Sequence, residues 1–402
     1  MPSRVLIYSH DSFGLGHLRR CRAIAHALVS GHPEMSVLIV SGSPIIGNFT
    51  FGPRIDFVRV PGVVKMRSGE YTSQSLHMDV EDTLALRASI IRNTAETFEP
   101  DLFLVDKEPW GLHGELSETL ELLNGRGVPL VLGLRDVMDE PALLAPEWER
   151  KNVMPALTGL YDEIWIYGLP QVCDPLADIP LPHSVRRKMV FTGYLRRTAV
   201  APVGEESPSP GFDEPYLLVT PGGGGDGAAM VDWVLRAYEH ESGVPYPALI
   251  VLGPFMPADH KAGFLERVDA LDGVRAITFD PGIESLIAGA AGIVAMGGYN
   301  TFCEILSFDK PALVMPRTVP RKEQLIRAQR ADELGLLKCL VDDEARNAAT
   351  MATALRHLPQ QRRPSEIVVP GLLDGLENVN RLIDRQIAGR PAPRIAVARR
   401  RL

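Results

Sequence analysis

Three glycine-rich turns carry most of the residues in this chain that suit catalysis. The first follows the apolar run Arg4–Ser9 and contains Gly14, Gly16 and His17. The second follows residues 216–220 and holds Gly222, Gly223, Gly224 and Gly225, then Asp226 and Gly227. The third follows residues 292–296 and reads Gly297-Gly298-Tyr299-Asn300-Thr301-Phe302-Cys303-Glu304. Glycine lets the backbone approach a ligand closely. A glycine turn that opens a helix also presents unpaired N–H groups to an anion. The second and third turns therefore suit a phosphate. His17 opens a helix in the first turn, and an imidazole suits a general base near neutral pH. Thr301 and Glu304 are three apart and share a helix face. A carboxylate there repels phosphate but accepts both hydroxyls of a ribose. Gln324, after Arg321 and Lys322, is placed to reach a sugar hydroxyl. Asp106 and Asp136 each end an apolar run, so His17, Asp106 or Asp136 is a candidate general base.

Several chemistries are excluded. A dinucleotide fingerprint needs a third glycine where Arg19 stands, and an acid where the second strand ends Val40-Ser41-Gly42. The strand after the second turn also ends without an acid, at Val251-Leu252-Gly253-Pro254. Neither turn continues into Gly-Lys-Ser/Thr, which excludes a P-loop. No DxD-like carboxylate pair stands out. Asp342 and Asp343 read as helix caps, so no metal is expected. The four cysteines, Cys21, Cys173, Cys303 and Cys339, are scattered, which argues against a disulfide scaffold or zinc ribbon.

The elements that position these residues alternate between short β-rich runs and helical stretches. Strands are expected at Arg4–Ser9, Ser36–Ser41, 56–60, 101–106, 129–134 and Glu163–Tyr167, with helices at 17–30, 76–98 and 112–124. The alternation resumes with strands at 216–220, 248–252, 274–279, 292–296 and 311–315. Near-continuous apolar strands separated by helices mean parallel sheets covered on both faces, an α/β class. The expected units are an N-terminal Rossmann-like domain, 1–198, and a Pro/Gly/Ser-rich linker, 199–214. A C-terminal Rossmann-like domain, 215–370, follows. A last helix, 371–388, packs back on the first domain, and a basic tail occupies 389–402. Ligands of open parallel sheets sit beyond the C-terminal strand edges, which is where all three turns fall.

The chain has 402 residues and a net charge of −8. That charge argues against a nucleic-acid partner, which needs a basic footprint. Residues 381–402 are the local exception, with seven arginines and one acid. They read as a solvated tail or a weak peripheral contact with an anionic membrane surface. No apolar run reaches the length of a membrane span, and cytoplasmic localisation is expected.

Residues 279–330 resemble the nucleotide-sugar half of glycosyltransferase family 28. Their motif is a glycine turn, Thr301-x-x-Glu304, a proline, and Gln324 on the next helix. The two-domain layout with both glycine loops resembles the wider GT-B fold, two Rossmann-like doubly wound domains facing across a cleft. The resemblance implies an enzyme of the hexosyltransferase type. It would move a sugar from a nucleotide-diphosphate sugar, a UDP-sugar, to a hydroxyl acceptor that is a small molecule, a glycan or lipid-linked. No cofactor is implied, because the donor is a co-substrate. Glu304 corresponds to the ribose-binding carboxylate, and Gly297, Gly298 and Thr301 to the diphosphate turn. Gln324 corresponds to the sugar-reading glutamine. Phe279 precedes the backbone that pairs with the base. Gly222–Gly225 correspond to the C-domain loop, with glycine in place of the family's serine. His17 and Gly16 correspond to the N-terminal loop. Asn300 and Tyr299 replace small or apolar residues, and Arg321 and Lys322 add charge near the diphosphate. Retaining GT-B enzymes commonly carry two glutamates eight apart, but Met296 and Ala312 flank Glu304 at that spacing, so inversion is expected. Gly14-x-Gly16-His17-x-x-Arg20-Cys21 is also similar to the UDP-sugar hydrolase of pseudaminic acid synthesis. Hydrolysis or epimerase-like chemistry in the same cleft is the alternative.

Overall fold

The computed structural model describes residues 3–10, 16–65, 71–198, 211–240, 243–342 and 344–388. The segments 199–210 and 389–402, with Gly14, Met66 and Asp343, lie outside the described residues. The first half contains β1 (Arg4–Ser9), β2 (Ser36–Ser41), β3 (Ile55–Arg59), β4 (Val63–Lys65), β5 (Tyr71–Ser73), β6 (Leu102–Asp106), β7 (Leu130–Arg135), β8 (Glu163–Tyr167) and β9 (Met189–Phe191). Seven of these make one parallel sheet in the order β3-β2-β1-β6-β7-β8-β9. β4 and β5 pair with each other as an antiparallel hairpin. The second half contains β10 (Leu217–Thr220), β11 (Ala248–Val251), β12 (Val274–Ile277), β13 (Gly292–Ala295), β14 (Ala312–Val314) and β15 (Lys338–Cys339). They form a second parallel sheet in the order β12-β11-β10-β13-β14-β15.

Central strands such as β6 and β10 are buried throughout. Helices cover both faces, so both side-chain registers must be apolar. In each sheet the strand order reverses beside the first strand, between β1 and β6 and between β10 and β13. Connections diverge to opposite faces there and leave a crevice at the C-terminal edge.

Two features depart from the expected elements. The helix expected at 112–124 begins as a short turn, Leu112–Gly114, followed by the helix Ser117–Gly125. His113 and Gly114 both take positive φ, 51° and 84°, which no continuous helix allows. Helices Pro141–Arg150 and Met154–Gly159 also form although the first has Pro146 inside it. The final helix, Gly375–Ala388, returns to the first half. Its Asn378 Nδ2 donates to the Thr192 carbonyl at 2.8 Å, and Arg385 pairs with Glu163 at 2.5 Å.

Buried charges join the two halves. Arg327, on the helix Glu323–Glu333, grips Asp136 just after β7 with two hydrogen bonds, at 2.6 and 2.7 Å. A third donates to the Gly297 carbonyl at 3.0 Å. Tyr194 adds its hydroxyl to Asp136 at 2.9 Å. Both ion-pair partners are essentially inaccessible. Breaking such a pair strands a buried charge, so Arg327→Ala should cost about 3 kcal/mol of stability. Arg327→Met with Asp136→Leu should recover most of that loss. Urea denaturation followed by circular dichroism checks both, and an Arg327→Ala midpoint equal to wild type would contradict the assignment.

Candidate active site

The helix Gly16–Gly31 starts where β1 points into the cleft, and its first turn brings His17, Arg19 and Arg20 to the C-terminal edge of the first sheet. β6 ends there as well, and its last residue, Asp106, is buried beneath the helix. His17 Nδ1 donates a short hydrogen bond to Asp106 Oδ2. A carboxylate only accepts, so this contact puts the imidazole proton on Nδ1 and leaves Nε2 with a lone pair. Arg20 holds the same carboxylate, with Nε at 2.8 Å and Nη2 at 2.6 and 2.8 Å, and its Nη2 lies 3.0 Å from His17 Nδ1.

Burial outweighs the attraction of Asp106 and lowers the His17 pKa from its ordinary value. The imidazole is neutral at pH 7 and able to accept a proton. Burial alone would raise Asp106, but Arg20 and His17 hold it far below the ordinary carboxylate range. Asp106 is a permanent anion that orients the histidine.

Two cavities meet at His17. One, of about 280 Å³, lies between the two sheets and is lined from the second half by Gly222, Gly223, Phe279, Thr301, Glu304 and Gln324. The other, of about 940 Å³, is walled by the first half except for Arg321 of the second. Its wall includes His10, Tyr71, Trp110, His113 and Lys151. Tyr71 meets His113 edge to face, with ring centroids 4.7 Å apart. Leu76 and Met78 lie apart from it and are exposed.

The turns beneath the smaller cavity need glycine for physical reasons. Gly297 has φ +75°, and a Cβ there would sit 2.6 Å from Val314. Gly224 has φ +89°, and a Cβ there would meet the Leu252 carbonyl at 2.3 Å. Gly222, Gly223 and Gly298 line the cavity, whereas Gly224 and Gly297 shape the turns from behind and Gly225 is not part of the wall.

Glu304, one turn into the helix Tyr299–Ser307, is almost fully buried. Arg19 reaches across from the first half to its Oε1 at 2.5 Å, and to Glu284 at 2.9 Å. Burial pushes the Glu304 carboxyl up to about 7, and the nearby Glu284 charge works in the same direction against Arg19. Asn300 is committed at both ends of its side chain. Its Nδ2 donates to the Gly16 carbonyl at 3.0 Å, and its Oδ1 accepts from Arg197 at 2.7 Å.

Three expected site residues lie elsewhere than the donor cavity or are otherwise engaged. Asp136 is sealed against Arg327, so its carboxylate meets no ligand. Asn300 ties the halves together. Arg321 lines the larger cavity, where it pairs with Glu147 at 3.0 Å. Sequence reasoning also overlooked the roles of Arg19, Arg20 and Arg327. The helical i, i+3 spacing of His17 and Arg20 was a usable signal for one of them.

No family model matches the chain, and no curated protein sequence is significantly similar. Solved structures do match over nearly the whole chain. CalG4, the calicheamicin glycosyltransferase, is 15% identical with a TM-score of 0.61, covering 98% of this chain and 100% of its own. Medicago truncatula UGT71G1 complexed with UDP-glucose is 14% identical with a TM-score of 0.62, covering 96% and 98%. Acinetobacter baumannii MurG is 13% identical with a TM-score of 0.56, covering 96% and 100%. The chain therefore has the GT-B fold of glycosyltransferases, two Rossmann-like domains across a cleft.

The His17 geometry fixes the sign of a titration. Side-chain NMR should give His17 a midpoint below the ordinary value of about 6.5. Asp106→Asn removes an attraction that favours the imidazolium, so the midpoint should fall further. A midpoint above 6.5 in the unaltered protein would contradict the arrangement.

Proposed function

We propose that this chain is an inverting glycosyltransferase that moves a sugar from a nucleotide-diphosphate sugar, a UDP-sugar, to an acceptor hydroxyl. The observation that carries this reading is the Asp106–His17 pair at the junction of two cavities. One cavity is floored by glycine turns and the Glu304 carboxylate, and the other is open for a second substrate. The fold it shares with UGT71G1, solved with UDP-glucose, supports the donor class.

In this reading the ribose hydroxyls donate to Glu304, and the main chain at Phe279 faces the base. The diphosphate lies between Gly222–Gly223 and the start of the helix Tyr299–Ser307. His17 Nε2 takes the acceptor hydroxyl proton. The acceptor oxygen attacks the anomeric carbon from the face opposite the leaving group. The bond from that carbon to the bridging phosphate oxygen breaks, and the nucleoside diphosphate leaves with the electron pair. Its growing charge is met by main-chain N–H groups and the helix dipole, both already in place before reaction. Gln324 faces the transferred sugar. Asp106 acts through His17 and holds the positive charge that the imidazole gains.

A thermal-shift screen against UDP-, GDP-, dTDP- and CDP-sugars is the first test. A UDP-sugar should raise the melting temperature, and Glu304→Ala should abolish the rise. An unchanged rise in Glu304→Ala would overturn the ribose assignment. His17→Ala should keep the shift yet slow release of UDP from the donor by roughly 10²–10⁴-fold, the usual worth of a positioned base. Proton NMR of the first-formed product should show an inverted anomeric centre.

A further inference from the structure

Among the described residues, Arg135, the last residue of β7, is the one arginine on the wall of the interdomain cavity that makes no ion pair, whereas Arg19, Arg20 and Arg317 are paired. The Arg135 Nε is sealed from solvent and has no hydrogen-bond partner. Every nearby acid is already committed. Asp106 is held by Arg20 and His17, and Asp136 by Arg327. Glu108 is shared by Lys107 and Lys151. Glu323 is bound through Oε1 to Arg317 and attracts Arg135 only from beyond ion-pair range. Burial, reinforced by the neighbouring Arg20 and Arg327 charges, pulls the Arg135 pKa down to about 10 despite Glu323. A half-buried cation whose Nε is sealed from solvent without a partner is costly, and it is retained here on the wall of the proposed donor site.

Its place in that site identifies the missing anion. The second and third glycine turns lie on the opposite domain and provide for the diphosphate. Arg135 instead faces the start of the helix Glu323–Glu333, where Glu323 and Gln324 line the same cavity. Glu323 Oε2 is also buried without a partner, and it is a ready acceptor for a sugar hydroxyl. Building on the donor reading above, we propose that the transferred sugar carries a carboxylate, as a nucleotide-activated hexuronic acid does, and that Arg135 selects it with a charge-assisted, two-pronged hydrogen bond. Glu323 and Gln324 then hold the sugar's hydroxyl edge while Arg135 reads its acidic edge. The neutral hexose leaves Arg135 unmatched, so discrimination comes from the cost of an unpaired, half-buried charge as well as from the bond gained.

Isothermal titration of the full chain with UDP, UDP-glucose and UDP-glucuronate tests this directly. UDP reports whether the nucleotide site is intact. The uronate should bind about ten- to a hundredfold more tightly than the hexose, the ordinary worth of a hydrogen bond to a charged group. Arg135→Gln should erase most of that ratio, and Arg135→Lys should restore part of it, with UDP binding serving as the control for a folded site. Equal affinities for the two sugars would overturn the proposal. A loss of UDP affinity in Arg135→Gln as large as the loss of uronate affinity would also overturn it, because Arg135 would then be serving the diphosphate. Absence of binding by all three would overturn the nucleotide-sugar reading itself, a distinct failure.

Discussion

Two neighbouring strands of the first sheet each lead into an aspartate, one at the end of β6 and one just after β7, and each aspartate is gripped by one buried arginine. Asp106 holds Arg20 from its own domain, and Asp136 holds Arg327 from the other. Both guanidinium groups lie over the ring of Tyr299, at 5.4 and 5.8 Å from its centroid. Tyr299 opens the helix that carries Thr301 and Glu304. A single chain of charge, ring and charge thus runs from the histidine on one domain to the glycine turn on the other. Arg327 completes it by bonding the Gly297 carbonyl. The relative placement of His17 and the third glycine turn depends on this chain.

Such an arrangement is not chosen for stability alone. Buried ion pairs recover their desolvation cost only with near-ideal geometry, and apolar substitutes are often as stable. What the pairs supply is position. Asp106 sets the tautomer of His17, while Arg20 keeps Asp106 ionised. Arg19 reaches across to Glu304 and Glu284, so the carboxylate proposed for the ribose faces a cation from the other domain. An anionic donor needs no basic protein under these conditions. The net charge of −8 coexists with a cleft wall that offers an anion main-chain N–H groups, helix starts and a few arginines.

The strand cores were legible in sequence because runs such as DLFLVD and SVLIVS are apolar on both faces, which only a doubly covered parallel strand tolerates. The glycine turns were legible because they fall directly after those runs. Short edge strands such as β9 and β15, with three and two residues, carry too little pattern to read. The cross-domain pairings were also hidden. Arg327 and Asp136 are 191 residues apart, and Arg19 and Glu304 are 285 apart. Nothing local distinguishes such an arginine from a solvated one. Asp136 illustrates the limit. Its place at a strand end suited a base as well as Asp106 did, and only the docking of the second domain shows which carboxylate is sealed.

The most direct measurement of the central claim is a crystal structure of the complex with UDP. The account predicts that the diphosphate lies within hydrogen-bonding distance of the main-chain N–H groups of Gly222–Gly223 and of the first turn of the helix Tyr299–Ser307. It also predicts the ribose hydroxyls on Glu304 and His17 across the cleft from the phosphate. A diphosphate bound outside that cavity, or a ribose that makes no contact with Glu304, would contradict it.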